Sequence, residues 1–350
     1  MKLRTFLQFV GPSVALMLAL MALPLAITFY LSVRNCALEM EVVTVTQSSP
    51  FGTQEVVTQR AKTGADGRAR QTCTYVGDGY FRKVLGLDAA DSKAAALPDT
   101  MAEVAGTEGS AGDAVASKEQ STDNEFFGAL RFTLLYTFVT TPFILVIGFL
   151  LALGISGVTQ RLKGLFISAS LLPFIITPVV GALSIKWLFR DNGLVPYILS
   201  FAGIKVFWMA QAWSAQLLII LYGIWHVVPF AFIVFYAGLQ GVPQDSLEAA
   251  TIDGATRWQK FRYVTLPHMK PLVIFVTLIH LMDAYRVFEP VIVLTQGAFT
   301  TSVQYLTYHI LLQENNPYKA SAAAVLTVIG ILVLLIPLLV KTWREQRRGF

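Results

Sequence analysis

Four side chains that carry charge or protons, His280, Asp283, Arg286 and Glu289, recur at three-residue intervals inside the otherwise apolar segment Pro271–Gln296. Residues three apart on a helix are neighbours, so a continuous helix there would carry a winding polar stripe. Charge inside a membrane is costly and faces a cavity or a partner of opposite sign. Two readings stay open. In one, Asp283, Arg286 and Glu289 form a cavity wall that contacts or gates a polar solute. In the other, Arg286 neutralises a flanking acid and the stripe only holds its helix in place. A proton relay is a third use of the same groups. Tyr285, Trp225 and Gln296 are further candidates for the wall of such a cavity, because aromatic faces and amides can contact a polar molecule.

A second cluster interrupts the oily chain at 243–267, where "SLEAATIDGATRWQKFRYVTLP" is polar. Pro243 closes the preceding apolar run. Asp245 is expected to cap a new helix, with Glu248 three positions on completing a box. Ala249 and Ala250 leave that helix almost without side-chain bulk, so another backbone can approach it closely. Gly254, followed by Ala255, permits the left-handed turn that ends it. A second helix over about Thr256–Val264 would carry Arg257, Lys260 and Arg262 beside Trp258, Phe261 and Tyr263, with the two aromatics at 258 and 261 anchoring it to the inner ends of the spans. Leu266-Pro267 stops it. Physics alone reads this as a knob offered to a partner protein or as an amphipathic hairpin lying on lipid headgroups.

Much chemistry is excluded. No phosphate-cradling G-x-x-x-x-G-K-[ST] loop, H-E-x-x-H, C-x-x-C or G-x-S-x-G occurs, and the 4 histidines fall in separate segments without metal-ligand spacing. The expectation is no catalytic residue, no metal and no cofactor bound by this chain. No dense basic patch with interleaved aromatics points to nucleic acid. A transporter without an ATP site uses an ion gradient, moves solute passively or borrows an ATPase.

The elements that must position these clusters are membrane helices. Charged residues make up only 14% of the 350, against about 25% in soluble domains. Uncharged runs long enough to cross a bilayer cover Thr5–Val33, Phe132–Gln160, Gly164–Ile185, Val206–Gln244 and Ala320–Val340. With Pro271–Gln296 they predict an all-α polytopic protein of six spans with both termini on one side. The first run is far longer than the roughly 7–15 residues of a signal-peptide core, so it is read as a span. Lys and Arg concentrate in the loops that a cytoplasmic N-terminus would place inside, Arg161, Lys163, Arg257, Lys260, Arg262 and Lys270 among them, which makes both termini cytoplasmic. Residues 34–131 then form one outside insert between spans 1 and 2. It reads as β-rich over about 38–86, with a hairpin around "SSPFG" and a strand pair around Asp78-Gly79. A flexible linker follows over about 88–125. The 2 cysteines, Cys36 and Cys73, both lie in the insert. They are a possible disulfide in an oxidising compartment, with two separate thiols as the alternative.

The segment "EAATIDGATRWQKFRYVTLP" resembles the EAA loop of bacterial ABC-importer permeases. Glu248, Ala249, Ala250, Asp253, Gly254, Ala255, Phe261, Leu266 and Pro267 match its pattern of E-A-A, D-G-A and a hydrophobic stretch ending in L-P. "WHVVPFAFIVFYAGLQGVP", "LLPFIITPVVGALSIKWLFRDNGLVPYIL", "RVFEPVIVLTQGAFTTSVQYLTYHI" and "NNPYKASAAAV" look like other parts of the sugar-importing, maltose-type members, although "TQGAFTT" is shorter than the turn common there. The likeness covers 132–350 and leaves the insert unmatched. It implies the type I ABC importer permease fold and a permease in the bacterial inner membrane. Glu248, Ala249, Ala250, Asp253, Gly254, Ala255 and Pro267 would then couple the spans to an ATPase. The implied partners are a second homologous permease, two ATP-binding subunits holding ATP and Mg, a periplasmic solute-binding protein and membrane lipid. The implied cargo is a sugar or sugar-like solute. Two rivals remain beside this reading, an ion-coupled secondary transporter and a membrane-anchored receptor or scaffold working through its insert.

Overall fold

The computed structural model describes residues 3–38, 40–49, 52–62, 71–87, 125–201, 203 and 206–348. Five helices are long and apolar enough to cross a membrane, or six if one bent pair counts as a single span. The expected all-α, several-span class is what the structure shows, with a small β part between the first two spans in chain order.

Two compact units are distinguished. The first comprises residues 1–123 and 310–326. It opens with helix α1 (Leu3–Ser32), followed by strands β1 (Arg34–Leu38), β2 (Met40–Ser49), β3 (Gly52–Ala61) and β4 (Gln71–Tyr75) and the short helix α2 (Gly79–Val84). β2 and β3 pair antiparallel from Met40↔Ala61 to Ser49↔Gly52, while the turn residues 50 and 51 lie outside the described residues. β1 pairs with β4, which sets Cys36 opposite Cys73, and the two are joined as a disulfide. The strand pair expected around Asp78-Gly79 does not form. β4 finds its partner in β1, and Gly79 opens α2 instead. Tyr318, in the same unit, stacks on Tyr80 with ring centroids 6.2 Å apart and donates a hydrogen bond to the Cys36 carbonyl at 2.8 Å. The linker expected over about 88–125 lies, except for Glu125, outside the described residues.

The second unit comprises residues 124–309 and 327–350. Helix α3 (Glu125–Ser156) packs along α7 (Ala212–Gln240), and α10 (Leu266–Tyr285) packs against both. In hydrocarbon every backbone and hydroxyl group must be satisfied within the protein. Accordingly Thr133, Thr137 and Thr140 of α3 each donate to the carbonyl four residues back, at 2.7–2.8 Å. Two buried clusters hold these helices together. One gathers Phe132, Tyr136, Leu218, Ile219, Tyr222 and Leu294. The other gathers Ile144, Ala152, Phe232, Phe235, Met269 and Val276. Lipid tails are as apolar as these side chains, so close packing rather than water exclusion stabilises them.

Two expected spans are broken. The run Gly164–Ile185 is divided between α4 (Gln160–Ile175) and α5 (Pro178–Phe189), and the pair, continued through α6 (Leu194–Phe201), is bent by 93°. Pro178 supplies no N–H and pushes the residue before it out of the helical region; Ile176 and Thr177 are extended, with ψ of 129° and 142°. The run Pro271–Gln296 is also not one helix. α10 ends at Tyr285, Arg286 caps it, and a π-helical turn over Val291–Thr295 follows. The continuous stripe His280–Asp283–Arg286–Glu289 is therefore corrected: only the first two stand on α10. The remaining elements are α8 (Gln244–Ile252), α9 (Arg257–Lys260), a π-helical turn over Phe261–Thr265 that runs into α10, α11 (Val303–Leu312) and α12 (Pro317–Arg348).

Candidate functional site

The polar interruption folds as an elbow. α8 follows Pro243, and no side chain caps it; the box expected from Asp245 and Glu248 is absent. Its other end is a Schellman motif: the Gly254 N–H donates to the Thr251 carbonyl at 3.1 Å and the Ala255 N–H to the Ala250 carbonyl at 2.9 Å. Gly254 takes a φ of 75° with open space around the missing Cβ, so backbone conformation rather than crowding demands glycine. The capping box occurs one helix later. Thr256 Oγ1 accepts from the Gln259 N–H, and Gln259 Oε1 accepts from the Thr256 N–H at 2.7 Å. Lys260 Nζ then donates to Thr251 Oγ1 at 3.0 Å, linking the two arms.

The anchor of the second arm is Phe261, whose ring lies 5.9 Å from that of Phe149 in α3. Trp258, expected to share that task, touches Phe261 but remains 69% exposed. Ile252 is 87% exposed and Tyr263 74%. Glu248, Ala249, Asp253 and Pro267 are exposed, and Ala250 and Ala255 half-buried. The inner angle of the elbow is an open concavity of about 420 Å³ lined in part by Leu247, Glu248, Arg257, Lys260 and Phe261.

The second site is a cavity of about 130 Å³ within the helices. Tyr136 comes from α3, Pro178 from the broken α4–α5 pair, and Tyr222, Gly223, His226 and Val227 from α7. His280 and Asp283 come from α10, and Arg286, Glu289 and Pro290 from beyond its end. Although the stripe is not one helix, all four of its members line this space. On α7 the residues Gly223, His226 and Val227 fall between Tyr222 of one packed cluster and Val228 of the other. Gly223 is required by close approach: a Cβ there would collide with the Tyr136 hydroxyl.

The cavity wall is only partly satisfied. Tyr222 donates to the Pro178 carbonyl at 2.6 Å, and His226 Nδ1 lies 2.9 Å from the Pro173 carbonyl. The Tyr222 and His226 rings stack 5.7 Å apart. Asp283 and Arg286 are exposed and Glu289 half-buried. No ion pair joins the three among the described residues, so the self-neutralised network foreseen for Arg286 is not formed. His280 is 2% exposed. Its Nε2 lies 3.0 Å from Thr140 Oγ1, whose own proton is donated to the Tyr136 carbonyl. Nδ1 is left buried with no hydrogen-bond partner among the described residues. A buried polar atom without a partner costs about 1–3 kcal/mol.

Three candidates fall elsewhere. Tyr285 is 1% exposed, with its hydroxyl packed over Gly330 of α12. Trp225 is 42% exposed and lines no described cavity. Gln296 lines a different cavity, nearer the start of α3. Conversely Tyr136, Tyr222 and His226 went unnoticed as cavity residues. The polar trio Tyr222, His226 and Gln216 on one apolar span was the available signal. Lys186 Nζ donates at 2.7 Å to the Val293 carbonyl in the π-helical turn. Among the described residues no cluster of His, Cys, Asp or Glu could hold a metal ion.

Comparison with known proteins agrees with this architecture. The arabinooligosaccharides transport system permease of Halalkalibacterium halodurans is 33% identical over 219 residues, covering 60% of this chain and 69% of the relative. The trehalose/maltose transport system permease of Thermococcus litoralis is 31% identical over 221 residues, 61% of this chain and 72% of the relative. Among solved structures, a bacterial ABC transporter involved in the import of the acidic polysaccharide alginate superposes with a TM-score of 0.57 at 28% identity. That match covers 63% of this chain and 79% of the other. Residues 123–349 match the family described as the binding-protein-dependent transport system inner membrane component. Through that match, over a fold of packed membrane helices around a polar cavity, the chain belongs to this family of transport permeases.

Proposed function

We propose that this chain is one of two homologous permease subunits of an ATP-driven importer that takes a sugar or sugar-like solute from a periplasmic binding protein. The observation that carries the solute class is the cavity around His280. It combines an imidazole nitrogen without a partner, two carboxylates, a guanidinium and two tyrosines in one space, which suits a solute rich in hydroxyl donors and acceptors. Relatives named for arabinooligosaccharide and trehalose/maltose transport support the same class. The elbow supports coupling, because Ile252, Trp258 and Tyr263 present largely exposed apolar surface. One of two ATP-binding subunits, which hold ATP and Mg, docks on α8, and Gly254 sets the angle at which its motion reaches α10. The termini are cytoplasmic and the disulfide-bonded insert faces the periplasm, where it orients the binding protein. An alginate transporter solved with a pentasaccharide-bound periplasmic protein is 29% identical, with a TM-score of 0.55, and supports that partner.

The test is purification of this chain with its co-migrating subunits, followed by a screen of maltose, trehalose, lactose and arabinotriose for stimulation of ATP hydrolysis in the presence of the binding protein. An ATPase in the complex and stimulation by a sugar are expected. A complex without an ATPase, with uptake that follows a proton or sodium gradient, would sink the proposal.

A further inference from the structure

A larger cavity, about 620 Å³, lies nearer the start of α3. It shares no lining residue with the cavity around His280. On α3 it takes residues from Glu125 to Leu135, just before Tyr136; on α7 it takes Gln216, before Tyr222. At 1.5 Å of rise per residue, the step from Gln216 to Tyr222 is about 9 Å along the helix. The two cavities follow one another along the same pair of spans. In the orientation proposed above, the larger one is the outer.

Its remaining wall is the turn at 296–301 with Tyr305, Leu306 and His309 of α11, and that turn is built in an unusual way. Gln296 and Phe299 have φ of 53° and 61°, a left-handed conformation that side-chain-bearing residues seldom hold and that persists only when the surroundings enforce it. Four hydrogen bonds enforce it here. Tyr305 donates to the Gln296 carbonyl at 2.6 Å, Gln216 to the Phe299 carbonyl at 3.2 Å and Thr301 to the Gly297 carbonyl at 2.9 Å, while Thr295 and Thr300 join hydroxyls at 2.6 Å. These contacts leave the Gln296 amide exposed and the Phe299 ring 56% exposed. Packing does not account for a turn so firmly held that offers a phenyl ring and an amide to open space.

We infer that this outer cavity is a staging subsite, where the incoming sugar rests before it reaches the cavity around His280; the inference rests on the sugar-importer reading above. Phe299 and Tyr305 supply flat apolar faces for the C–H side of a sugar ring. Gln296, Arg131, Glu125 and His309 supply donors and acceptors for its hydroxyls. One carboxylate beside one guanidinium gives no net bias towards an anion, so the class is a neutral saccharide. The volume falls within the roughly 300–1,000 Å³ typical of small-molecule sites.

The experiment uses the complete transporter in proteoliposomes and whichever of maltose, trehalose, lactose or arabinotriose it imports, with a photoactivatable derivative of the same sugar. Phe299→Ala is expected to raise the half-saturating concentration of sugar-loaded binding protein about fivefold, as loss of one aromatic face implies, and to abolish photolabelling of the 296–305 peptide. Phe299→Trp is expected to restore both. Labelling confined to the peptides around His280, with unchanged half-saturation in Phe299→Ala, would overturn the staging site and leave the importer reading standing. Equal weakening of sugar-free and sugar-loaded binding protein would overturn it too, because the cavity would then seat a protein loop. Import of none of the sugars would overturn both readings, with Phe299→Ala not needed to decide.

Discussion

The elbow at 244–265 and the cavity around His280 are assembled by opposite means. In the elbow every polar contact that sets the shape is local. The Schellman bonds, the Thr256–Gln259 box and the Lys260–Thr251 link each join residues no more than nine positions apart. What the elbow turns outward is largely exposed apolar surface, at Ile252, Trp258 and Tyr263. In the cavity the contributing residues come from segments as far apart as Tyr136 and Pro290, and what remains unpartnered is polar and turned inward. A rigid part with an outward apolar face suits transmission of force to another protein. A loosely satisfied polar pocket suits a ligand that comes and goes. The helix α10 joins the two, since the second arm of the elbow runs into it and its far end carries His280 and Asp283.

Three substitutions test that division. Gly254→Val should have the largest effect. A β-branched residue at φ 75° disfavours the conformation by about 1–2 kcal/mol or more and lets the angle between the arms relax. Sugar uptake by membrane vesicles is expected to fall at least about tenfold while the chain still inserts, and Gly254→Asn is expected to keep most uptake. Equal uptake by the valine variant would mean that the elbow angle transmits nothing. His280→Leu should separate function from stability. It removes the orphaned Nδ1 and leaves Thr140 bonded to the Tyr136 carbonyl, so thermal unfolding in detergent is expected at the same temperature or higher. Solute-stimulated ATP hydrolysis should drop by roughly tenfold, the factor that about 1.4 kcal/mol of lost ligand contact represents. A large fall in unfolding temperature would assign His280 to the scaffold. Lys186→Met should have the smallest effect on transport. It deletes the one charged donor to the Val293 carbonyl at a cost of about 1.5–3 kcal/mol in stability. Faster hydrogen exchange over 291–296 is the measurement. Unchanged exchange there would show that the π-helical turn stands without the lysine.

How much could be read beforehand differs between the regions for the same reason. Gly254 announces a left-handed position through its place after a small-residue helix, and Pro243 and Pro267 bound the interruption, because those effects act within a few residues. The one local error, Asp245 and Glu248 as a capping box in place of Thr256 and Gln259, came from choosing between two adjacent polar pairs of similar pattern. The stripe in 271–296 was misread more seriously. Three-residue spacing was taken as helical periodicity, yet the helix ends at Tyr285 and Pro290 stands in the restart. That Tyr285 and Trp225 lie outside this cavity was not legible, because the rotation of an apolar helix about its axis leaves little trace when both lipid and neighbouring helices accept the same side chains.

The sequence by itself determined the class of the molecule, its several spans, the break between a polar elbow and the oily helices, and the absence of a nucleotide-binding loop. Composition, run length and glycine or proline positions govern each of these through short-range forces. Only the tertiary structure decided that the broken ends of two spans meet α3 and α7 around one cavity, that no ion pair among the described residues joins Asp283, Arg286 and Glu289 there, and that Gln296 belongs to a separate space. Those outcomes depend on which helix faces pack together, and in a membrane that choice rests on shape and on a few buried polar contacts between residues far apart in the chain.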